Sequence, residues 1–235
     1  DVGIKRALAT EKVVVSGKIT LTASETFSLR NQKRDTVQDY EMQRKVATLF
    51  KESGFEVTTA SIMAAFGCNY EGPVTIEHVL NLATQLHEIA AEVGSKLEVL
   101  SLADTMGWAN PEHVRRLVGA IREKWPDIRL RMHLHDTRGL GIANVYAALL
   151  EGVDSFDTAV AGLGGCPFAG HKAAAGNVCT EEIVFLCREI GIETGVDLES
   201  LIEVSRLAQE IVGHSVPSKV INAGIVPMAA QTAAV

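Results

Sequence analysis

Two histidines one residue apart, His133 and His135, stand in the otherwise apolar run of RMHLHDTRGLGIAN (131–144) and are followed at once by Asp136. Side chains two apart on a strand share a face, so both imidazoles project the same way. At that spacing two ring nitrogens can chelate one divalent metal, with magnesium, manganese or zinc all compatible, and leave positions open for oxygen ligands. The bland alternative is a pair of core histidines hydrogen-bonded to their neighbours. A second cluster lies in AGLGGCPFAGHKAAAGNVCTEE (161–182). Gly162, Gly164 and Gly165 give a loop whose backbone can approach a ligand closely. Cys166, on that loop and close to a helix start, is a candidate acid or base, because such a setting can lower a thiol pKa. Asn177 offers an oxygen to a metal or substrate, or else caps the next helix. Asp104 closes the apolar run of SLADTMG; it binds backbone there or, beside a metal, orients what the metal holds.

These residues need a frame that brings loop ends together. Apolar runs at 16–25, 55–65, 96–105, 128–137 and 155–164 read as strands. Amphipathic helical runs separate them: 36–53, with Val37, Tyr40, Val46, Leu49 and Phe50 as its stripe, and 75–94, with Ile76, Val79, Leu80, Ala83, Leu86, Ala90 and Val93. Next come 110–125, with Asn110 as N-cap and Pro111 in the first helical position, and 140–151. Helices at 180–190, with Thr180 as cap and Glu181 and Glu182 at the positive end of the dipole, and at 198–212 complete the pattern. Strands alternating with helices imply βα units and a parallel sheet. Polar residues gather at the C-terminal ends of nearly every strand, where a TIM (β/α)8 barrel carries its site; a doubly wound sheet would concentrate ligands at one switch point. Five strands are legible against eight in a closed barrel, and the chain opens mid-pattern. The expectation is one α/β barrel domain over 1–235 with about five of eight βα units, its N-terminal strands outside this sequence, and a helical extension over 198–235.

Composition narrows the classes. With 235 residues, 47% hydrophobic and 22% charged, the chain has the makeup of one globular domain. A net charge of −7 argues against a nucleic-acid partner. No apolar run approaches the ~20 residues of a membrane span, and DVGIKRALAT lacks the apolar core of a secretory signal. Cys68, Cys166, Cys179 and Cys187 form no CxxC pair, which suits reduced thiols and a cytoplasmic setting.

Taken in order, TASETFS (22–28), FGCNYEG (66–72), LADTMG (102–107), HLHDTRG (133–139), VAGLGGCPFA (160–169), AGNVCTEE (175–182) and GIETGVDLE (191–199) resemble the 3-hydroxy-3-methylglutaryl-CoA lyase family, within the wider metal-dependent lyase and Claisen-type synthase barrels of the DRE-TIM superfamily. The cysteine in GLGGCPFA separates the lyases from the related synthases. The resemblance implies a TIM barrel that cleaves a 3-hydroxyacyl-CoA by a retro-Claisen reaction with Mg2+ or Mn2+. It implies His133, His135 and Asn177 as metal ligands and His133 as the base for the substrate hydroxyl. Cys166 would be the proton donor to the acyl-CoA enolate and Asp104 a group orienting substrate. Glu181 and Asp136 would support the ligands, with Gly164 and Gly165 in the substrate loop. The family's aspartate ligand, its neighbouring arginine and a second-strand glutamate have no counterpart here, which fits the three unseen strands.

The pattern also departs from the family. The stretch from Cys166 to Asn177 is about two residues longer and brings His171 and Lys172; DTRGLG replaces an aromatic and a glutamine; Trp108 fills a place that is usually small. These departures leave the reaction type intact and leave the acyl group open. Two rivals remain at this point, a Claisen-type synthase joining acetyl-CoA to a 2-oxo acid, and a catalytically inactive metal-binding barrel. An acyl-CoA substrate and a homodimer, through the C-terminal helices, complete the expectation.

Overall fold

The computed structural model describes residues 2–10, 12–165 and 175–226. Cys166, His171 and Lys172 lie outside them. A short helix α1 (Val2–Leu8) precedes β1 (Gly17–Thr22), α2 (Glu25–Gln32), α3 (Thr36–Glu52) and β2 (Val57–Met63). A two-stranded hairpin follows, β3 (Gly67–Cys68) and β4 (Gly72–Pro73), then α4 (Ile76–Glu92), β5 (Val99–Ala103), α5 (Pro111–Lys124), β6 (Arg129–His133), α6 (Gly141–Leu150) and β7 (Ser155–Asp157). The chain continues through α7 (Thr180–Glu189), α8 (Leu198–Val212) and α9 (Val220–Ala223).

β1, β2, β5, β6 and β7 form one parallel sheet in that order. The order never reverses, so every right-handed crossover returns on the same side. That winding makes a barrel wall, whereas a doubly wound sheet reverses at a switch point. The two faces differ accordingly. One carries Ile19, Ala60, Leu100 and Leu130 in one row and Leu21, Ile62, Leu102 and Met132 in the next, all in the core shared with α3, α4 and α5. The other carries Thr20, Ser61, Ser101, Arg131 and Ser155 in register, with Ala103, His133 and Asp157 above them. The apolar face turns to the helices, and the polar face is the lumen side.

Helix starts follow the sequence signals. Thr75, Asn110 and Asp197 each accept a backbone N–H from the first turn of their helices, and Pro111 takes the first position of α5. Such a cap contributes about 1 kcal/mol. The structure corrects other expectations. Val37, placed in the apolar stripe of α3, is 72% exposed. Cys179, not Thr180, is the N-cap of α7; Thr180 instead pairs its hydroxyl with that of Thr158 at 2.8 Å. The run 155–164 is a strand only to Asp157 and then tightens into a 3-10 turn at Val160–Gly162. α2 and the β3–β4 hairpin had no clear periodicity. α2 is set by Ser24, whose hydroxyl accepts from the Phe27 N–H at 3.1 Å, and its Phe27 joins Ala64, Cys68 and Met106 in a small second core over the strand ends. α8 and α9 pack on α7 through Val184, Leu198, Ile202 and Val220.

Candidate metal and substrate site

β6 ends at His133, and Leu134 beyond it is fully buried in the helix-side core. His135 therefore keeps the alternation although the regular strand has stopped. It is held by an antiparallel bridge to Asn177, and its ring centroid lies 5.2 Å from that of His133. The expected trio of His133, His135 and Asn177 is thus brought together by one strand end and one returning segment. The return is fixed by backbone: Val178 N–H donates to the Leu134 carbonyl at 3.1 Å and Asp136 N–H to the Gly176 carbonyl at 2.7 Å. Asn177 does not cap α7; its Nδ2 donates to the Leu163 carbonyl at 2.9 Å, which leaves its Oδ1 buried without a partner.

The glycines of the loop have a concrete purpose. Asn177 N–H donates to the Gly164 carbonyl at 3.1 Å. A Cβ on Gly176 would collide with that carbonyl, and one on Gly162 would come within 2.6 Å of the Cys179 sulfur. Segments 162–165 and 175–177 pack closely against each other on either side of the residues outside the description. Ala161, in the left-handed region at φ 59°, is secured by Glu181, whose Oε2 accepts from the Ala161 N–H at 3.1 Å. Glu181, fully buried, thus fastens the turn at Ala161.

His135 is buried, and burial, with His133 next to it, pulls its pKa down to about 4. It is neutral near pH 7, the form a metal ligand needs. Its Nδ1 and the Asn177 Oδ1 are both buried without a well-formed hydrogen bond, while the Asn177 side chain and the Thr105 backbone lie against the ring. Two orphaned polar atoms side by side fit a cation's place better than an apolar one. The donors at hand are two imidazoles and one carboxamide oxygen. Among the described residues no group of three His, Cys, Asp or Glu side chains could hold a metal, so a carboxylate ligand would have to come from elsewhere.

Asp104 sits one strand over, its N–H bonded to the His133 carbonyl at 2.8 Å. Its Oδ1 accepts from Trp108 and Ala109 N–H at 2.6 and 3.0 Å, while Oδ2 is buried and unpartnered. Burial raises its pKa to about 6 against these hydrogen bonds and the nearby Arg138. Asp136 accepts from the Gly141 N–H at 2.7 Å, fastening the start of α6. The departures noted above meet on the rim: Arg138 donates to the Met106 and Gly107 carbonyls, and Trp108 Nε1 to Asn69 at 2.8 Å. Burial pushes the Cys179 thiol up to about 12 and raises Cys187 as well, so neither is a reactive thiol at neutral pH.

One lumen residue went unread in the sequence. Asp157 lies opposite His133 in the β6–β7 register, its Oδ2 3.5 Å from His133 Nδ1. The signal was there: Arg-x-His in one strand pairs with Ser-x-Asp in the next.

The HMGL-like family model matches residues 1–208. A hydroxymethylglutaryl-CoA lyase of Bacillus subtilis is 34% identical over 92% of this chain and 69% of its own length. An (R)-citramalyl-CoA lyase of Chloroflexus aurantiacus is 38% identical over 88% of this chain and 62% of its own. The solved structure of an HMG-CoA lyase from Acinetobacter baumannii, in complex with coenzyme A and 3-methylmalate, superposes with a TM-score of 0.78 at 37% identity, over 90% of this chain and 66% of that one. The chain spans about two thirds of the length of these relatives.

Proposed function

The chain belongs to the HMGL-like family, and from that premise we propose that its strand-end site serves a divalent-metal-dependent carbon–carbon lyase acting on a 3-hydroxy-3-methylglutaryl-CoA-like thioester. The observation that carries this reading is the meeting of His133, His135 and Asn177 beside orphaned polar atoms, at the base of the glycine loop that bears Cys166.

His133, His135 and Asn177 hold the metal, Mg2+ or Mn2+ in this reading, together with a carboxylate from outside the described residues. When bound, the metal supplies Lewis-acid polarisation of the substrate's oxygens. His133 is the base proposed for the substrate's 3-hydroxyl, and it can take that proton only through a ring nitrogen that is not bound to the metal. The bond between the hydroxyl-bearing carbon and the α-carbon of the thioester then breaks, giving a keto acid and the enolate of acetyl-CoA. Cys166 delivers its proton to that enolate carbon, and the loop, anchored through Gly164 and Gly165, keeps bulk water from competing. Asp104, fixed by two backbone donors, orients groups around the reacting centre.

An acyl-CoA substrate is supported by the lyase relatives and by the coenzyme A in the Acinetobacter structure. Which acyl substituent fits depends on the rim formed by Trp108, Asn69 and Arg138, where the chain departs from the family pattern. No described helix is long and apolar enough to cross a membrane. A cytoplasmic homodimer is the setting we propose, with the exposed Val204, Leu207 and Ile211 of α8 available to a second copy. The test is acetyl-CoA release by the full-length protein, with Mg2+ or Mn2+, from a panel of 3-hydroxyacyl-CoAs. Cys166→Ala should abolish turnover in a lyase and matter little in a synthase. No acetyl-CoA from any member of the panel would refute the lyase reading.

A further inference from the structure

The lumen face of β6 and β7 carries four polar side chains in two layers. His133 pairs with Asp157 in the upper layer and Arg131 with Ser155 in the lower. The Asp157 carboxylate spans both: Oδ2 is 3.5 Å from His133 Nδ1, and Oδ1 is 3.8 Å from Arg131 Nε, which also donates to Ser155 Oγ at 3.2 Å. We infer that Asp157, with the Arg131 guanidinium in the layer beneath it, is the positioning residue of His133, favouring its proton on Nδ1 and leaving a single lone pair, on Nε2, which serves either the metal or the substrate proton but not both at once.

The chemistry runs as follows. A neutral imidazole carries one proton, and the partner of one ring nitrogen decides which nitrogen keeps a lone pair. A carboxylate only accepts, so one lying 3.5 Å from a ring nitrogen favours the tautomer with the proton on that nitrogen. Arg131 places its guanidinium 3.8 Å from the same carboxylate, in the layer beneath. The groups against the His135 ring are neutral ones, the Asn177 side chain and the Thr105 backbone. The two histidines of the pair are therefore oriented by different means, His133 by a charged neighbour on the next strand and His135 by burial and the returning Asn177 segment. Residues behind a ligating histidine tune its affinity for metal about 10–100-fold.

This inference rests on the metal-dependent reading for its second readout and stands alone for its first. The first uses nitrogen-15-labelled histidine in the metal-free full chain. His133 should show the Nδ1–H tautomer in the parent, a mixture in Asp157→Ala, and the parental tautomer again in Asp157→Glu. The second is calorimetric titration with Mn2+. Asp157→Ala should weaken binding about 10–100-fold with an unchanged circular dichroism spectrum, Asp157→Glu should restore most of it, and Arg131→Ala should fall between. An unchanged His133 tautomer in Asp157→Ala, or Mn2+ affinity within about twofold of the parent, overturns the positioning role. A parent that binds no Mn2+ overturns the metal reading instead, and the tautomer readout still decides the role of Asp157.

Discussion

Replacing Asp104 by asparagine should stabilise the protein more near pH 7.5 than near pH 4.5. The Asp104 carboxyl is almost wholly buried, and that burial lifts its pKa from an ordinary 3.8 to about 6. A raised folded-state pKa means that the stabilising form is the neutral acid. Its contribution is complete below the unfolded value and is lost as pH rises through about 6. A shift of roughly two units amounts to about 3 kcal/mol at pH 7. The substituted carboxamide has no charge to desolvate, and its oxygen still accepts from the Trp108 and Ala109 N–H groups. Its NH2 would take the place of an Oδ2 that has no partner, a cost of about 1–3 kcal/mol that does not vary with pH. About 1 kcal/mol of the pH-dependent cost is already present at pH 4.5, above the unfolded value, so the difference between variant and parent grows by about 2 kcal/mol from pH 4.5 to pH 7.5, whatever its absolute value. For a domain of this size that is a growth of roughly 4–8 °C in the melting difference. Thermal unfolding of both proteins across that range measures it, and every other titrating group cancels in the comparison. If Asp104 also orients substrate, the same variant loses turnover while gaining stability. A difference that stays flat with pH, or shrinks as pH rises, refutes the reasoning.

His87 gives the opposite slope. It is stacked on Trp125, its Nε2 is buried without a partner, and burial lowers its pKa from 6.5. Stability from the neutral ring is full above 6.5 and falls as pH drops through the folded value; His87→Phe should keep the stack and remove that loss, read as a smaller fall in melting temperature between about pH 7 and pH 5. Gly176→Ala should destabilise by several kcal/mol, because the new Cβ meets the Gly164 carbonyl rather than a movable side chain; an unfolding midpoint within about 2 °C of the parent would contradict the packing of the loop base. Asn177→Ala should cut Mn2+ affinity on the order of tenfold or more in calorimetry, with His135→Ala at least as severe. Cys179, buried with its pKa at about 12, should resist iodoacetamide in the native protein and label only after unfolding, checked by peptide mass spectrometry.

How much of this was legible follows from which signals are local. The alternation in ITL, SIM, LSLA and LRMH is a period-2 pattern, and it marked four of the five sheet strands with their helices. The fifth was overdrawn, because SFDTAVAGLG is apolar enough to extend a strand, whereas Ala161 at φ 59° and the Glu181 carboxylate turn it into a tight 3-10 bend. α2 and the β3–β4 hairpin stayed hidden because their order comes from tertiary partners: Glu71 accepts from the Thr26 N–H at 2.6 Å, and Cys68 donates to Ser24. Thr180 looked like a cap by residue type, but its hydroxyl faces Thr158 across the turn and Cys179 occupies the cap position.

The candidate site divides along the same line. His133, His135 and Asn177 were readable because strand alternation and a glycine loop are properties of short segments. What those segments could not show is how the pair survives the end of its strand. Leu134 keeps the alternation by filling the helix-side core, and the backbone bonds from Val178 to Leu134 and from Asp136 to Gly176 stand in for the missing strand neighbour. Asp157 escaped notice for a related reason. It is distant from His133 in sequence, beyond the whole of α6, and adjacent to it only through the β6–β7 register. Reading each lumen layer across strands, rather than each motif along the chain, puts the Asp157 carboxylate beside His133 and the neutral Asn177 beside His135. The two imidazoles of an HxH pair are then chemically distinct: the more exposed one is set by charge, and the buried one by exclusion from water.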